Sequence, residues 1–350
     1  MGMENYETRV VAIEGGDQVG KGDAVLNLAK ALVEEGESIT MLALPFYALP
    51  IGIGVRKMLC SSQDKLKGIE GMEDVIGTSR QTEIAMAMFS LNRLEVLRTL
   101  KEAEGLVMLD RSAFSHALTI SYNIFLGNIQ REKMEEFVYK GIDMDQLFID
   151  ELNLSNCVLN LRTEKSRWNA TRGNGEDMYE REEVQDICDS VYDVFKEYSK
   201  EGWKNIITRK DNSWRSREDI LQENLEFVHN RISPKRESKG DLKILSAKDI
   251  SNDIYPNVEI SPKEEKLWME AVVANDKQKM YQASVNIAQE IANKIKKITM
   301  SPEIKEAFKK ILDKYPEVYS LLKTFVGSHY VLVLSEAVNG QENISKTITS

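Results

Sequence analysis

The residues best suited to chemistry lie near the N-terminus, in the stretch "EGGDQVGKGDA" at positions 14–24. Gly15, Gly20 and Lys21 have the spacing of the phosphate-binding motif G-x-x-x-x-G-K-[ST], although Gly22 stands where the magnesium-binding hydroxyl should be. Backbone N–H groups of such a loop, and the positive end of the helix after it, bind phosphate. We therefore predict a phosphate site here. The alternative is a glycine-rich turn that carries a surface lysine.

A phosphate loop must lie between a strand and a helix, and the flanking sequence fits this requirement. An apolar run precedes the loop and a helical pattern follows it. Similar short runs recur along the chain, each followed by a longer periodic segment, which predicts a parallel sheet covered by helices, with one of these helices at 182–201. The predicted strands are residues 9–13, 39–44, 106–109, 157–161 and 205–208.

Composition limits the class of protein. The chain has 350 residues, 42% of them apolar, which exceeds the usual size of one domain, so we expect two. A net charge of -10 opposes nonspecific nucleic-acid binding.

Pro45 and Pro50 interrupt the most apolar stretch, and the N-terminal residues lack a signal-peptide pattern, so we expect no membrane span and a cytoplasmic protein. Cys60, Cys157 and Cys188 are too dispersed for a zinc site or a disulfide framework.

The alternation of strands and helices stops near Ser233. The polar stretch that follows predicts a linker, and the apolar spacing after it predicts helices, one over 281–298 and one that begins after Ser301 as its N-cap. The role of this smaller, mainly α-helical domain is not indicated by any motif. The predicted division of the chain is a domain at 1–232, a linker at 233–260 and a helical domain at 261–350.

Four stretches of the chain carry a family resemblance: "EGGDQVGKGD", "LPFYALPIGIGVRKML", "MFSLNRLEVLRTLKEAEGLVMLDRSAFSHALT" and "EDMYEREEVQDICDSVYDVF". In this order they resemble the thymidylate kinase family over about residues 8–232. The resemblance implies an α/β P-loop NTPase-type fold with a parallel five-stranded sheet flanked by helices, a lid at about 162–177, and a homodimer. It also implies transfer of the γ-phosphoryl group of ATP, with Mg²⁺, to a pyrimidine nucleoside monophosphate, dTMP first among them.

The resemblance also implies roles for individual residues. Lys21 and Asp17 would act in catalysis, and Phe89 would stack on the acceptor base while Arg93 bonds its edge. The implied ATP phosphate-binding residues are Gly15, Gly16, Gly20, Lys21, Gly22 and Asp23. The implied acceptor-binding residues are Arg56, Phe89, Arg93, Arg111, Ser115 and Tyr179. The implied metal-binding residues are Asp110, Asp17 through water and, as an option, Asp23.

The family places a catalytic arginine either in the phosphate loop or in the lid. Gln18 occupies the loop position here, so the lid must supply it. Among the arginines there, we favour Arg167 and Arg172 over Arg162; the alternative is that they are solvated charges. The acceptor phosphate is already ionised near neutral pH, so transfer needs alignment and charge stabilisation more than a general base.

Some residues depart from the family pattern. Asp23 replaces a Ser or Thr in the first turn of the helix, where a carboxylate would either compete with phosphate or recruit magnesium. Ser112 and Thr119 replace aromatic residues, and Met178 replaces an arginine of the lid. Three hypotheses follow: an active dTMP kinase, a catalytically impaired nucleotide-binding regulatory protein, and a kinase for a modified nucleotide.

Overall fold

The computed structural model describes residues 9–17, 19–163, 182–210, 213–232, 240–274 and 276–340. The described strands are β1 Val10–Gly15, β2 Ile39–Ala43, β3 Leu106–Asp110, β4 Val158–Thr163, β5 Trp203–Lys210, β6 Ser213–Trp214 and β7 Leu242–Ile244. The described α-helices are α1 Lys21–Glu34, α2 Pro50–Leu59, α3 Gln63–Lys67, α4 Ser79–Glu102, α5 His116–Phe125, α6 Met134–Glu151, α7 Glu182–Ser199, α8 Arg217–His229, α9 Ala247–Ile254, α10 Pro262–Val273, α11 Lys277–Lys294, α12 Pro302–Lys314, α13 Glu317–Phe325 and α14 Ser328–Asn339. Short 3-10 helices cover Ala113–Ser115, Arg131–Lys133, Leu154–Asn156 and Lys200–Gly202.

The strands of the described chain form one seven-stranded sheet in the order β6-β5-β4-β1-β3-β2-β7. Neighbouring strands are parallel, except that β6 folds back antiparallel on β5. The five predicted strands are present as β1 to β5, but the predicted size of the sheet is wrong, because β6 and β7 extend its two edges. Strand β1 lies between β3 and β4, and all six of its residues are buried. The phosphate loop therefore begins at the C-terminal end of the central strand.

Helices cover the sheet because each presents one apolar stripe to it. On α1, Leu28 and Leu32 are buried in the same apolar cluster as Val11 of β1 and Val228 of α8. This packing fixes the axis of α1, and so it also fixes where the N-terminus of α1 lies relative to β1.

The predicted helix at 182–201 is present as α7, which ends two residues earlier. Its residue Phe195 contacts Phe114 edge to face, with ring centroids 5.6 Å apart, and Phe114 contacts Trp203 of β5 at 5.5 Å. This aromatic cluster anchors α7 beside the turn that follows β3.

Contacts between Cα atoms divide the described chain into two compact units. The first comprises the residues up to Leu44 and from Leu100 to Ile244, and the second comprises Pro45 to Thr99 and the residues from Leu245 onward. This grouping differs from the division predicted from the sequence, because the segment 45–99 packs with the C-terminal helices. The segment predicted as a linker, 233–260, also contains β7 and α9.

In the second unit, α4 contacts helices from the C-terminal part of the chain. Arg80 of α4 forms a two-bond ion pair with Glu317 of α13, at 2.9 Å for both bonds. Phe46 contacts Trp268 of α10 edge to face, with ring centroids 5.7 Å apart. None of the described helices is long and apolar enough to cross a membrane.

The predicted C-terminal helices are present with one change. Helix α12 begins as expected, because the Ser301 hydroxyl accepts a hydrogen bond from the backbone N–H of Ile304 at 3.3 Å. Helix α11 ends at Lys294 rather than at 298, because Ile295 has an extended backbone.

Candidate phosphate-binding site

The loop begins at Gly15, where the backbone conformation and the atoms close by leave no room for a side chain. Gly15 has φ +134°, and a Cβ there would lie 2.3 Å from the carbonyl oxygen of Leu161 in β4. A Cβ at Gly16 would lie 2.0 Å from the amide oxygen of Gln185. Gly20, the N-cap of α1, has φ +87°, a left-handed conformation that favours glycine. The strand, loop and helix that a phosphate loop requires are therefore all present.

Lys21 is the first residue of α1, and its side chain is buried in the loop. It is 8% exposed, and its ammonium group donates a hydrogen bond to the carbonyl oxygen of Gly16. Burial, followed by the charge of Arg111, lowers the pKa of Lys21 to about 8. The buried position excludes a surface lysine, the alternative interpretation of this motif. The ammonium lies where it can contact phosphates bound to the loop.

The carboxylate of Glu14 connects three elements beneath the loop. It is fully buried and accepts hydrogen bonds from the N–H and hydroxyl of Ser112, from the Ser115 hydroxyl at 2.7 Å and from the Tyr192 hydroxyl at 3.0 Å. Glu14 is not among the residues predicted from the sequence to form the site, although a glutamate inside a buried strand is a signal for a polar network. Ser115, predicted to bind the acceptor, donates its hydroxyl to Glu14.

Arg111 and Asp17 form an ion pair beside the loop, and both were predicted from the sequence. The Arg111 guanidinium contacts the Asp17 carboxylate and also donates to the carbonyl oxygen of Gly15 at 3.3 Å. Although burial opposes its charge, the carboxylate of Asp17 and other nearby groups raise the pKa of Arg111. The backbone of Arg111 has φ +72°, which a non-glycine residue seldom adopts. Such a strained residue next to a phosphate loop is typical of a functional position.

Asp110, the last residue of β3, carries a buried oxygen without a partner. Its Oδ1 atom accepts no hydrogen bond in the part of the chain that the structure describes. The described residues also contain no group of three or more His, Cys, Asp or Glu side chains placed to hold a metal ion. A single available carboxylate fits a cation whose other ligands come from phosphate and water.

Helix α7 makes direct contacts with the backbone of the loop. The amide oxygen of Gln185 accepts a hydrogen bond from the N–H of Asp17 at 3.0 Å, and the Tyr192 hydroxyl accepts one from the N–H of Gly15 at 3.3 Å. Helical periodicity indicates which face of α7 is buried but not what that face contacts, so these bonds could not be predicted from the sequence. The conformation of the loop is thus coupled to the position of α7.

The carboxylate of Asp23 pairs with a cation. Arg217 of α8 donates a hydrogen bond to it at 2.7 Å, and both side chains are exposed. This pair connects the first turns of α1 and α8. The positive charge of Arg217 compensates the carboxylate that the sequence places next to the phosphate site.

An aromatic ring lies beside the loop at Gly20. A ring carbon of Trp214 lies 3.7 Å from the position that a Cβ at Gly20 would take. Trp214 is 46% exposed, and the Arg209 guanidinium lies 5.8 Å from its ring centroid. A flat apolar surface therefore lies next to the N-terminus of α1.

No protein-family model matches the chain, and no curated protein matches it. Among solved structures, it is similar to thymidylate kinase from Candida albicans. The match has 15% sequence identity and a TM-score of 0.42, and it covers 64% of this chain and 92% of that chain. This similarity is too low to assign an activity.

Three predicted acceptor-binding residues, Arg56, Phe89 and Arg93, lie in the second unit. Phe89 is half-buried on α4. Arg93 is almost fully buried and donates to the Ser90 hydroxyl at 3.5 Å. Arg56 lies against the aromatic rings of two tyrosines. Their role in binding an acceptor stays a prediction.

The predicted lid residues have different outcomes. Gln18, Arg167, Arg172, Met178 and Tyr179 lie outside the described residues. Arg162 is described, and it donates to the Asp193 carboxylate at 2.9 Å and to the carbonyl oxygen of Asp189 at 3.2 Å, both on α7.

Proposed function

We propose that the protein is a nucleoside monophosphate kinase that transfers the γ-phosphoryl group of ATP to a pyrimidine nucleoside monophosphate, with dTMP as the first candidate. The observation that carries the proposal is the position of Lys21. Its buried ammonium group lies inside a glycine-rich turn at the N-terminus of α1. Burying a cation costs free energy of folding. An anion such as phosphate, bound at the N-terminus of α1, would offset this cost.

Donor phosphates would bind to the loop N–H groups and give the Lys21 ammonium a stronger acceptor than the carbonyl of Gly16. In the transfer, an oxygen of the acceptor phosphate forms a bond to the γ-phosphorus, and the bond from that phosphorus to the bridging oxygen of ADP breaks. Lys21 and Arg111 would stabilise the negative charge on the phosphoryl oxygens. No general base is required, because the attacking oxygen is already ionised.

The donor nucleoside has a candidate binding surface as well. The half-exposed ring of Trp214 lies beside Gly20, and aromatic rings in such positions stack on nucleobases. Stacking on Trp214 would place the base next to the loop that binds the phosphates.

The donor set near the loop fits Mg²⁺. Asp110 offers a buried oxygen without a partner, and Asp17 offers a carboxylate held by Arg111. Mg²⁺ is typically bound by one or two carboxylates together with phosphates and water, so the missing hydroxyl at Gly22 is tolerable. When bound, the ion would neutralise charge on the phosphates. Asp23 is bonded to Arg217, so we assign it to that pair and not to the metal.

The choice of acceptor rests on the motifs that resemble thymidylate kinases. In this proposal Phe89 stacks on the acceptor base, Arg93 bonds its edge, and Arg56 and Arg111 bind its phosphate. Arg167 and Arg172 remain the proposed lid arginines. A homodimer in the cytoplasm belongs to the same proposal.

A coupled assay of ADP release tests the activity. The protein is incubated with ATP, Mg²⁺ and a panel of nucleoside monophosphates, and we expect turnover with dTMP. Lys21→Met should lower that turnover by about a hundredfold or more, because it removes a cation that would stabilise negative charge on the transferred phosphoryl group. Lys30→Met, at an exposed position on the same helix, is the matched control and should keep the activity.

Two other results would change the proposal. Nucleotide binding without turnover on any acceptor would overturn the kinase function and favour a regulatory nucleotide-binding protein. Turnover with a modified nucleotide but not with dTMP would overturn the acceptor assignment alone.

A further inference from the structure

Arg56 of α2 is a half-buried cation that has no anionic partner among the described residues. Within the described residues its guanidinium forms no ion pair, although the chain has 56 acidic residues against 46 basic ones. It lies instead against two aromatic rings, 5.8 Å from the ring centroid of Tyr47 and 5.3 Å from that of Tyr281. Aromatic faces attract a guanidinium without using its N–H donors. Those donors therefore remain available to an anion.

Tyr281 belongs to α11, in the part of the chain where the sequence showed no motif. It shares one helix face with Ser284 and Ala288, which are buried. Helix α11 packs on α2 in the second unit, so this face carries the tyrosine ring to the guanidinium. Tyr47 precedes α2 and supplies the other ring. Two distant segments of the chain thus restrain one arginine.

If the contact between α2 and α11 served packing alone, we would expect other residue types than an arginine between two tyrosines. Two helices are joined at lower cost by apolar side chains, or by an arginine paired with a carboxylate, as Arg80 is with Glu317 in the same unit. The side chain of Arg56 is restrained by two rings, but no carboxylate in the described part of the chain pairs with its charge. This combination is suited to binding a phosphate group, whose oxygens match the planar guanidinium.

We propose that Tyr281 is a positioning residue for the acceptor. Together with Tyr47 it holds the guanidinium of Arg56 in the orientation that binds the phosphate of the acceptor nucleotide. The C-terminal helical region then takes part in acceptor recognition through α11. This inference rests on the proposed function, because it takes the anion to be the acceptor phosphate.

Substitutions at position 281 separate positioning from packing. Tyr281→Leu keeps an apolar side chain but loses the aromatic face, and Tyr281→Phe keeps that face. We expect Tyr281→Leu to raise KM for dTMP about tenfold while kcat stays within about twofold, since a misplaced guanidinium weakens binding of the phosphate. KM for ATP should not change. Tyr281→Phe should behave as the wild type, and so should Gln282→Ala, the matched control at the next, exposed position of α11.

Direct binding measurements by calorimetry make the test independent of turnover. Tyr281→Leu should weaken dTMP binding and leave thymidine binding unchanged, because thymidine lacks the phosphate. Wild-type affinity for dTMP in a folded Tyr281→Leu protein would overturn the inference, and so would equal losses for dTMP and thymidine. If Tyr281→Leu does not fold, Tyr47→Leu removes the other ring and should give the same pattern. A wild-type protein that binds neither ATP nor dTMP would overturn the proposed function instead.

Discussion

Lys21 shows, at the scale of one residue, how a binding group can lower the stability of the ligand-free protein. Its ammonium is buried in the loop, where a backbone carbonyl is its one hydrogen-bond acceptor among the described residues. The cation Arg111 lies nearby and adds to the cost of the charge, while Asp17, Asp110 and Glu14 offset part of it. A bound phosphate would offset the cost of burying the ammonium, because anionic oxygens stabilise the charged form of Lys21. If Lys21 binds phosphate as proposed, its burial favours binding at the expense of folding.

The first prediction concerns the stability of the ligand-free protein. The pKa of Lys21 is lowered to about 8 in the folded state, from 10.5. The folded protein therefore binds fewer protons than the unfolded chain between about pH 8 and 10.5. For this reason the contribution of Lys21 to stability rises with pH across that range. Below pH 8 the buried charge is fully unfavourable. We expect Lys21→Met to stabilise the protein at pH 7 by on the order of 1–3 kcal/mol.

Urea unfolding of Lys21→Met and Lys30→Met at pH 7, without nucleotide, measures this difference. A destabilised Lys21→Met protein would contradict it.

The second prediction concerns Trp214. Replacing the tryptophan by alanine should raise the Kd for ATP about 5- to 150-fold, because stacking on a base is worth about 1–3 kcal/mol. Binding of tripolyphosphate, which has no base, should not change. Calorimetry with both ligands tests this, with Tyr139→Ala as the control at an exposed aromatic residue. An unchanged Kd for ATP in Trp214→Ala would show that the base binds elsewhere.

At the scale of elements, the N-terminus of α2 is capped by a side chain from another helix. Glu95 of α4 accepts a hydrogen bond from the backbone N–H of Ile51 at 3.3 Å, one from Asn92 at 3.0 Å and one from the Tyr255 hydroxyl. Tyr255 in turn contacts the Tyr330 hydroxyl at 3.1 Å. Three segments that are distant in sequence therefore meet at one buried carboxyl group.

The third prediction follows from the protonation of this group. Burial raises the pKa of Glu95 to about 7, against the opposing effect of its hydrogen bonds. Since the folded pKa exceeds the unfolded value, the contribution of Glu95 to stability is greatest below about pH 4.5 and falls as the pH rises to about 7. Glu95→Gln removes the ionisation and should stabilise the protein at pH 8 relative to the wild type, by up to about 3 kcal/mol.

The measurement is urea unfolding at pH 5 and pH 8. The advantage of Glu95→Gln should be larger at pH 8, and Glu73→Gln, at an exposed position in the same unit, should show no such pH dependence. An equal effect of Glu95→Gln at both pH values would refute the titration of Glu95 in this range.

At the scale of the whole molecule, the second unit is assembled from two separate stretches of chain. Residues 45–99 pack with the helices that follow Leu245, and this assembly contains the Arg80–Glu317 and Glu95–Tyr255 contacts. Helix α2 packs on α11 and α13, so removing the C-terminal stretch would expose part of the buried apolar surface of α2.

The fourth prediction is that a chain truncated after Arg231 will not fold cooperatively. Exposed apolar surface of this kind leads to aggregation or to a loosely packed state. Circular dichroism and size-exclusion chromatography should show loss of the cooperative transition, whereas a chain truncated after Gly340 should behave as the wild type. A monodisperse, active 1–231 protein would instead make the C-terminal region an independent appendage.

Much of the first unit was predictable because its signals are local. The alternation of apolar runs and helical patterns placed β1 to β5 in the chain, and the spacing of Gly15, Gly20 and Lys21 placed the loop between a strand and a helix. The two missed strands have two and three residues. Runs that short carry no measurable periodicity, because pairing with a neighbouring strand decides their conformation.

The sequence by itself determined the glycine-rich loop between β1 and α1, because a strand, a glycine turn and a helix are local features that the residue types specify directly. It did not determine that α7 bonds the loop through Gln185, that Arg217 neutralises Asp23, or that Tyr281 reaches Arg56. These pairs are separated by 168, 194 and 225 residues along the chain. No spacing rule connects residues so far apart. Only the tertiary packing of the helices decided which side chains meet.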